Sequence, residues 1–188
     1  MTTRTLTSTV ITVLALAWAT SAFAETHVFF SPKGGCEAEV VRFLDATKSK
    51  VDAAIYSLNN AAILAALQRA KTRGVKIRIL LDRLEASGKG NRKVTLALKR
   101  QGFDVRVHSK NRIQHNKFAV FDGVKVITGS FNWTNPAETS NEENCVVLDE
   151  VVIAKAYEQR FEEHLWVVNT EARSVAYINK LKSKETRK

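Results

Sequence analysis

Short runs of β-branched residues alternate with stretches of helical periodicity, and this alternation constrains the fold more than any other feature. Strand patterns occupy residues 27–30, 51–58 and 75–82, and helical patterns occupy residues 37–47 and 60–73 between them. Strands separated by helices pair in parallel, because the helix returns the chain to the start of the next strand. The sequence therefore predicts a single α/β domain, with a mixed, largely parallel sheet flanked by helices on both faces.

The second half of the chain continues this order with fewer helices. Asp122-Gly123 predicts a hairpin turn between two of its strands. Residues 85–93 depart from the pattern, because two Gly, one Ser and three basic residues predict an exposed loop. We expect the basic tail from Lys180 to be frayed. The other predicted elements are a helix over 94–100, strands over 103–107, 114–121, 124–128 and 144–148, and a long helix over 151–168.

Residues 1–24 have the composition of a secretory signal peptide. Arg4 is their only charged residue, an apolar run covers residues 10–19, and Ala22-Phe23-Ala24 places small residues where a signal peptidase cleaves. A membrane anchor is disfavoured, because the apolar run is about half of the ~20 residues that span a bilayer. We therefore expect a domain of residues 25–188 that is exported to the periplasm or secreted and does not stay inserted in a membrane.

Export bears on the two cysteines, Cys36 and Cys145. In an oxidising compartment such a pair can form a disulfide that closes a long loop. The alternative is two small buried side chains that never meet. The sequence leaves both open, because it does not give the distance between the two Cα atoms.

The chain carries a surplus of positive charge. It has 29 Lys+Arg against 19 Asp+Glu, a net charge of +10, and removal of Arg4 with the signal peptide lowers this only to +9. The 26% of charged and 45% of hydrophobic residues exclude global disorder and a multi-span membrane protein. The surplus favours a polyanionic partner such as DNA or RNA. The candidate groove residues are Lys89, Arg92, Lys93, Lys110 and Arg112.

One stretch concentrates the chemistry, with His115, Lys117 and Asp122 in the pattern H-x-K-x4-D. Side chains two apart on a strand share a face, so His115 and Lys117 are expected to point into one pocket. A neutral imidazole can attack phosphorus while an ammonium offsets the charge on the phosphate oxygens. Chance produces this pattern in on the order of one chain in a hundred of this composition. Alone, it is also compatible with a polar strand face that ends in a turn.

Two polar residues and an acidic pair farther along strengthen the prediction. Ser130 and Asn132 follow the strand predicted to pair with the motif strand, and both can donate hydrogen bonds to phosphate oxygens. Glu142 and Glu143 bring acids to the start of the next strand, where a carboxylate can hold the Nδ1 proton of His115 and leave Nε2 free to attack. Taken singly, such residues are common in turns and on solvated faces.

Together these residues resemble the phospholipase D superfamily, most closely its small bacterial exported endonucleases. The similarity covers nearly all of the expected mature chain. It implies that His115 is the nucleophile and that Glu143 orients it, and it implies a supporting role for Asp122. Lys117, Ser130 and Asn132 are then ligands of the substrate phosphate. The similar segments are 30–32, 55–58, 73–76, 114–117, 128–132, 137–139 and 141–144.

The resemblance also implies an assembly and a mechanism. Members with a complete active site carry two copies of the motif, and this chain has one, so a homodimer would bring two His115 residues together. The implied reaction passes through a phosphohistidine and needs no cofactor and no metal. A non-specific endonuclease acting on DNA or RNA is the main hypothesis. The alternatives are a phospholipase D that hydrolyses phospholipid headgroups and a non-catalytic nucleic-acid-binding protein.

Overall fold

The computed structural model describes residues 26–109 and 112–185, in which seven strands form one mixed sheet. The predicted signal peptide and Lys110 lie outside the described residues. The strands are β1 (Thr26–Ser31), β2 (Lys50–Ile55), β3 (Lys76–Leu81), β4 (Asp104–Val107), β5 (Lys117–Phe121), β6 (Lys125–Gly129) and β7 (Glu143–Leu148). Their order across the sheet is β1-β7-β6-β5-β2-β3-β4.

Strands β2, β3 and β4 form the parallel part of the sheet, as the alternating pattern predicts. Helices α1 (Cys36–Ala46) and α2 (Ala61–Thr72) cover one face of the sheet. Asn60 caps the start of α2 by accepting a hydrogen bond from the backbone N–H of Ile63 at 3.0 Å. Gly74, with a φ of +87°, ends this helical segment and turns the chain into β3.

The rest of the sheet is antiparallel, so parallel pairing is less extensive than predicted. Strands β5 and β6 form the expected hairpin through Asp122-Gly123, and β7 and β1 continue the sheet in antiparallel pairs. Strand β5 also meets β2 in antiparallel register, with Lys117 opposite Ile55. The reason is that no long helix crosses between β5 and β7, and short connections reverse the chain.

The segment 85–93 was predicted as an exposed loop, and this prediction is wrong. It lies in two helices, α3 (Arg83–Ser87) and the first turns of α4 (Lys89–Arg100). Asp82 caps α3, accepting hydrogen bonds from Leu84 N and Glu85 N at 2.8 and 3.3 Å. The buried Asn91 side chain donates to Ser57 Oγ at 2.7 Å. The local cap by Asp82 and the tertiary contact of Asn91 with Ser57 together outweigh the Gly and Ser composition.

The short α5 (Asn135–Thr139) precedes β7.

The predicted helix 151–168 consists of an α-helix, α6 (Val151–Gln159), and a π-helical segment (Arg160–Trp166). The N–H of Val167 donates to Glu162 O at 3.1 Å, the five-residue spacing of a π-helix. The wider turn lets Phe161 and Trp166, five residues apart, stack with their ring centroids 5.4 Å apart. Both belong to the smaller hydrophobic core, which lies on the face of the sheet opposite α1 and α2.

Two arginines hold the π-helical segment against the sheet. The Arg78 guanidinium bonds Asp52 on β2 and forms an ion pair with Glu162 at 2.7 Å. Arg106 lies 3.9 Å from the Trp166 ring centroid and donates to Trp166 O at 2.8 Å. The segment therefore has a defined position against β2, β3 and β4.

The last helix, α7 (Glu171–Glu185), includes Lys180 to Glu185, the described part of the tail that was predicted as frayed, and residues 186–188 lie outside the described residues. Ser174 is buried, and Tyr177 donates a hydrogen bond to Arg83 O at 2.8 Å. These contacts dock the helix beside β4 and α3. In the described part of the chain, no helix combines the length and apolar character needed to cross a membrane.

Candidate active site

One edge of the sheet collects the residues of the predicted site. Tyr56 follows the end of β2 and Asp82 follows the end of β3. Lys117 begins β5, Ser130 follows the end of β6 and Glu143 begins β7. Because β5 and β7 run opposite to β2, β3 and β6, the start of one set lies beside the end of the other.

His115 and Lys117 meet on the ring of Tyr56. The His115 and Tyr56 ring centroids are 4.7 Å apart in an edge-on arrangement, and Lys117 Nζ lies 5.0 Å from the Tyr56 centroid. Lys117 Nζ also donates to His115 O at 2.9 Å. His115 itself precedes β5 rather than lying on it, so the prediction of a strand from residue 114 is wrong. Their proximity results from Tyr56 and this hydrogen bond.

Tyr56 is a site residue that the sequence reasoning did not identify. Its side chain is partly buried, and burial raises the pKa of its hydroxyl, with the carboxylates of Glu85 and Asp82 adding to the rise. Glu85 in turn accepts a hydrogen bond from Asn91 at 3.0 Å. Tyr56 thus stays a neutral phenol that supports both motif side chains. Its place directly after an apolar strand gave no signal, because an ordinary core residue has the same pattern.

Lys117 is nearly buried, with 9% of its surface exposed. Burial lowers the pKa of its ammonium, and the charge of Glu143 opposes this shift. Glu143 therefore lies within electrostatic range of Lys117. In the described residues, the hydrogen bond of the Glu143 carboxylate comes from Asn141 Nδ2 at 3.1 Å, not from the His115 ring. The orientation of His115 by Glu143 stays a prediction.

Ser130 and Asn132 lie in the turn that follows β6. Ser130 Oγ accepts a hydrogen bond from Asn144 N at 3.0 Å, and Asn132 Oδ1 is buried with no hydrogen-bond partner among the described residues. Trp133 O accepts from Asn59 N and Asn60 N at 2.8 and 3.0 Å. These bonds attach the turn to the segment after β2, and hence to the surroundings of Tyr56.

Hydrogen bonds of Asp82 and Gln114 hold the loop that carries His115 in place. Buried Asp82 accepts a hydrogen bond from Gln114 N at 2.9 Å, besides capping α3. Gln114 Oε1 accepts from Asn116 N at 2.7 Å and from Asn116 Nδ2 at 2.8 Å. The side chain of His115 is therefore exposed, while its neighbours Gln114 and Asn116 are held in place by hydrogen bonds.

Asp122, the last residue of the motif, lies at the opposite end of β5. Its carboxylate accepts hydrogen bonds from Lys48 N, Ser49 N, Lys50 N and Ser49 Oγ at 2.7–2.9 Å. Burial raises the pKa of Asp122, but these bonds outweigh it and lower the pKa to about 2. The carboxylate joins the hairpin to the start of β2 and does not reach His115.

The candidate groove residues lie on two sides of the site. Lys89 and Lys93 are exposed and Arg92 is partly buried in the first turns of α4, where Asn91 contacts Ser57 beside Tyr56. Arg112 is exposed on the loop before β5. Lys110 lies outside the described residues. The groove that these residues were predicted to form stays a prediction.

Cys36 and Cys145 are buried free thiols in contact with each other. The hydrogen bond between them lowers the pKa of Cys36 and raises that of Cys145. Cys145 follows Asn144 on β7, so the pair lies beneath the turn that holds Ser130. The disulfide stays a prediction. Across the described residues, no three His, Cys, Asp or Glu side chains are grouped as metal ligands.

Comparison with protein families gives one match that spans most of the chain. A family described as cardiolipin synthase, PLD-like domain, matches residues 40–166. Phospholipase D from Rickettsia conorii is 36% identical over 132 residues, 70% of this chain and 65% of that protein. Mitochondrial cardiolipin hydrolase from Xenopus laevis is 35% identical over 127 residues, covering 68% of this chain and 59% of that protein. The alignments thus span less than two thirds of these relatives.

Two solved structures are similar over nearly their whole length. Nuc, a phospholipase D family member from Salmonella typhimurium, has a TM-score of 0.71 and 32% identity, covering 74% of this chain and 93% of Nuc. NucT from Helicobacter pylori has a TM-score of 0.63 and 23% identity, covering 74% of this chain and 96% of NucT, and supports the fold alone.

Proposed function

The chain belongs to the phospholipase D superfamily, and from that premise we propose that it is a phosphodiesterase that cleaves DNA or RNA without strong sequence preference. The observation that carries this proposal is the meeting of His115 and Lys117 on the Tyr56 ring. An exposed imidazole beside a buried ammonium is suited to attack a phosphodiester. The similarity to Nuc over 93% of that chain and the net charge of +10 support nucleic acid as the substrate.

The first step forms a covalent phosphohistidine. Nε2 of His115 attacks phosphorus, a P–N bond forms, and the P–O bond to the leaving alkoxide breaks. Lys117 offsets the negative charge on the non-bridging oxygens, and Ser130 and Asn132 supply further contacts to them. Glu143 holds the Nδ1 proton of the ring and stabilises the positive charge that develops there. All these groups belong to the protein, so the step uses no metal.

The leaving alkoxide needs a proton, and a second copy of the chain supplies it. The sequence contains one H-x-K-x4-D motif, and exposed His115 can face the same residue across a twofold axis. Protonated His115 of the partner subunit donates to the alkoxide. The imidazole of the partner subunit, now neutral, then accepts a proton from water. This water attacks phosphorus, and the P–N bond to the first His115 breaks. The proposed active unit is therefore a homodimer, and light scattering with a mass of one chain at assay concentration would contradict it.

The relatives named phospholipase D and mitochondrial cardiolipin hydrolase favour a second candidate, hydrolysis of phospholipid headgroups. The same residues would attack a lipid phosphodiester, and the basic surface also attracts anionic lipid. We rank this second, because Nuc is aligned over almost its full length whereas these relatives are aligned over 59–65% of theirs.

One experiment separates the candidates. Purified protein is incubated in EDTA with plasmid DNA, RNA, phosphatidylcholine vesicles and cardiolipin vesicles, with His115→Ala as the inactive control. We expect cleavage of nucleic acid by the wild type only. Faster hydrolysis of either lipid would favour the second candidate. Binding without cleavage of any substrate would indicate a non-catalytic protein, and activity lost only in EDTA would contradict the metal-free mechanism.

We also propose export to the periplasm or the medium, which rests on the composition of residues 1–24. The amino terminus of protein recovered from a native host tests this. We expect it at Glu25, and an intact Met1 in the recovered protein would contradict cleavage.

A further inference from the structure

A small polar cleft lies between the loop that precedes β5 and the π-helical segment. Its volume is about 130 Å³, and its lining includes Arg112, Gln114 and Asn116 from the loop and Arg160 and His164 from the π-helical segment. Gln114 and Asn116 are the two neighbours of His115. The cleft therefore lies beside the backbone of the residue that carries the proposed nucleophile.

The charge of this cleft is positive and not neutralised internally. No carboxylate lines it, and in the described residues neither Arg112 nor Arg160 has an ion pair or a side-chain hydrogen bond. Glu163 lies beside it, with its Oε2 3.9 Å from His164 Nε2, and accepts hydrogen bonds from Gln159. Cations that converge without a counter-charge repel one another, and a bound anion removes that repulsion.

The cleft depends on the π-helical turn. In that segment Phe161, Leu165 and Trp166 are all buried, and Arg78 and Arg106 hold Trp166 against the sheet. Arg160 and His164, four residues apart, are then left on the exposed side. The cleft is large enough for a small polar group, and its two guanidinium side chains suit an anion such as phosphate.

We propose that this cleft is a second phosphate subsite, which binds a backbone phosphate of the nucleic acid strand next to the one attacked by His115. This inference rests on the proposed function. Arg112 and Arg160 offer planar, bidentate contacts to phosphate oxygens, and Gln114 and Asn116 connect the subsite to the nucleophile. The subsite would set the register of the strand rather than take part in bond cleavage.

The test compares a substrate that has a neighbouring phosphate with one that lacks it. Bis(p-nitrophenyl) phosphate has a single phosphodiester, whereas a single-stranded oligonucleotide has many. For Arg112→Ala/Arg160→Ala we expect the ratio of kcat/KM for the oligonucleotide to that for the small diester to fall about 10- to 100-fold. The slope of oligonucleotide affinity against salt should decrease by about 1–2 on logarithmic axes.

Two further variants serve as controls. Lys76→Ala/Arg100→Ala removes two exposed charges at the opposite edge of the sheet and should leave the ratio within about twofold, because those charges lie outside the subsite. Arg112→Lys/Arg160→Lys keeps the charge and should recover part of the ratio. An unchanged ratio in the alanine variant, or an equal fall in the control, would overturn the subsite. The subsite would also be overturned if the alanine variant lost only cardiolipin hydrolysis and kept its activity on the oligonucleotide.

Failure of the proposed function gives a different result. A wild-type protein that cleaves neither substrate contradicts the nuclease. Fluorescence anisotropy of a labelled oligonucleotide then still tests the subsite. The alanine variant should bind about tenfold more weakly than Lys76→Ala/Arg100→Ala, and equal affinities would overturn the subsite.

Discussion

At its amino end, strand β5 begins at Lys117, two residues after exposed His115, whereas at its carboxyl end Asp122 is held by four hydrogen bonds from residues 48–50. The first end leaves an imidazole free and an ammonium poorly solvated, as a reacting site requires. The second end has a carboxylate with its acceptors occupied. A motif that is continuous in sequence therefore divides into a chemical part and a structural part.

Of all the variants, His115→Ala should have the largest effect on activity. Loss of the nucleophile is expected to lower kcat on DNA and on bis(p-nitrophenyl) phosphate by at least about 10³-fold. The melting temperature should stay within about 2 °C, because the side chain is exposed. His27→Ala, an exposed histidine on β1, is the matched control and should keep full activity. Residual activity above a tenth of wild type would refute the role of His115.

Lys117→Met keeps the length of the side chain and removes its charge. We expect kcat to fall by about 10²- to 10³-fold, as for the loss of one donor to a developing oxyanion, with no loss of stability because the site is already nearly buried. Lys125→Met at the other end of the hairpin removes the same charge and should leave kcat within about twofold. Similar falls in both variants would show that overall charge, not position, is responsible.

Asp122→Ala should lower the stability of the fold and leave kcat nearly unchanged, the opposite of the result expected for His115→Ala. Losing hydrogen bonds to three backbone amides and the Ser49 hydroxyl should lower the free energy of unfolding by about 3 kcal/mol, measured by urea denaturation. Below the melting temperature, kcat should stay within about threefold. Asp149→Ala, which removes a partly exposed ion pair with Lys125, should cost less than about 1 kcal/mol. A large loss of kcat in folded Asp122→Ala would assign this acid to the chemistry.

Acid should weaken the same end of the strand. The folded pKa of Asp122 is about 2, below its ordinary value of 3.8, so the carboxylate stabilises the fold above pH 4. This contribution, about 2 kcal/mol, should be lost as the pH falls from 4 towards 2. The unfolding free energy of Asp122→Asn, measured over the same range, should fall by about 2 kcal/mol less than that of the wild type. Parallel curves would contradict the assignment.

Glu143→Gln has the smallest expected effect and tests whether a residue outside the motif belongs to its chemical end. We expect about a tenfold loss of kcat, since orientation weakens while the nucleophile remains. Because Glu143 raises the pKa of Lys117, its neutralisation should move the alkaline limb of the pH–rate profile to lower pH. An unchanged alkaline limb would separate Glu143 from the site.

The sequence predicted the parts of the fold that depend on local patterns. Helix α2 begins after Asn60 and ends before Gly74, and the hairpin turns at Asp122-Gly123, because capping and turn chemistry act within a few residues. Residues 85–93 show the limit of this reasoning. Their Gly and Ser content predicts a loop, yet they are helical, and the hydrogen bond of Asn91 to Ser57 joins them to a segment 34 residues away.

The site divides in the same way. The H-x-K-x4-D spacing singled out His115 and Lys117 as candidates, and the resemblance to the phospholipase D superfamily supplied the roles of Ser130, Asn132 and Glu143, which stay predictions. Spacing could not indicate Tyr56, whose ring joins His115 to Lys117, because an aromatic residue after a buried strand has the pattern of ordinary core.

Local patterns in the chain thus account for the α/β class, the hairpin of the motif and the residue types available for chemistry. Which of these residues meet depends on the packing of the whole domain. Antiparallel pairing of β5 with β2 brings Tyr56 beside Lys117 and sends Asp122 to the far edge, and the π-helical turn carries Arg160 and His164 to the cleft. The physical reason is that these contacts join residues far apart in the chain, and only strand pairing and core packing set the distances between them.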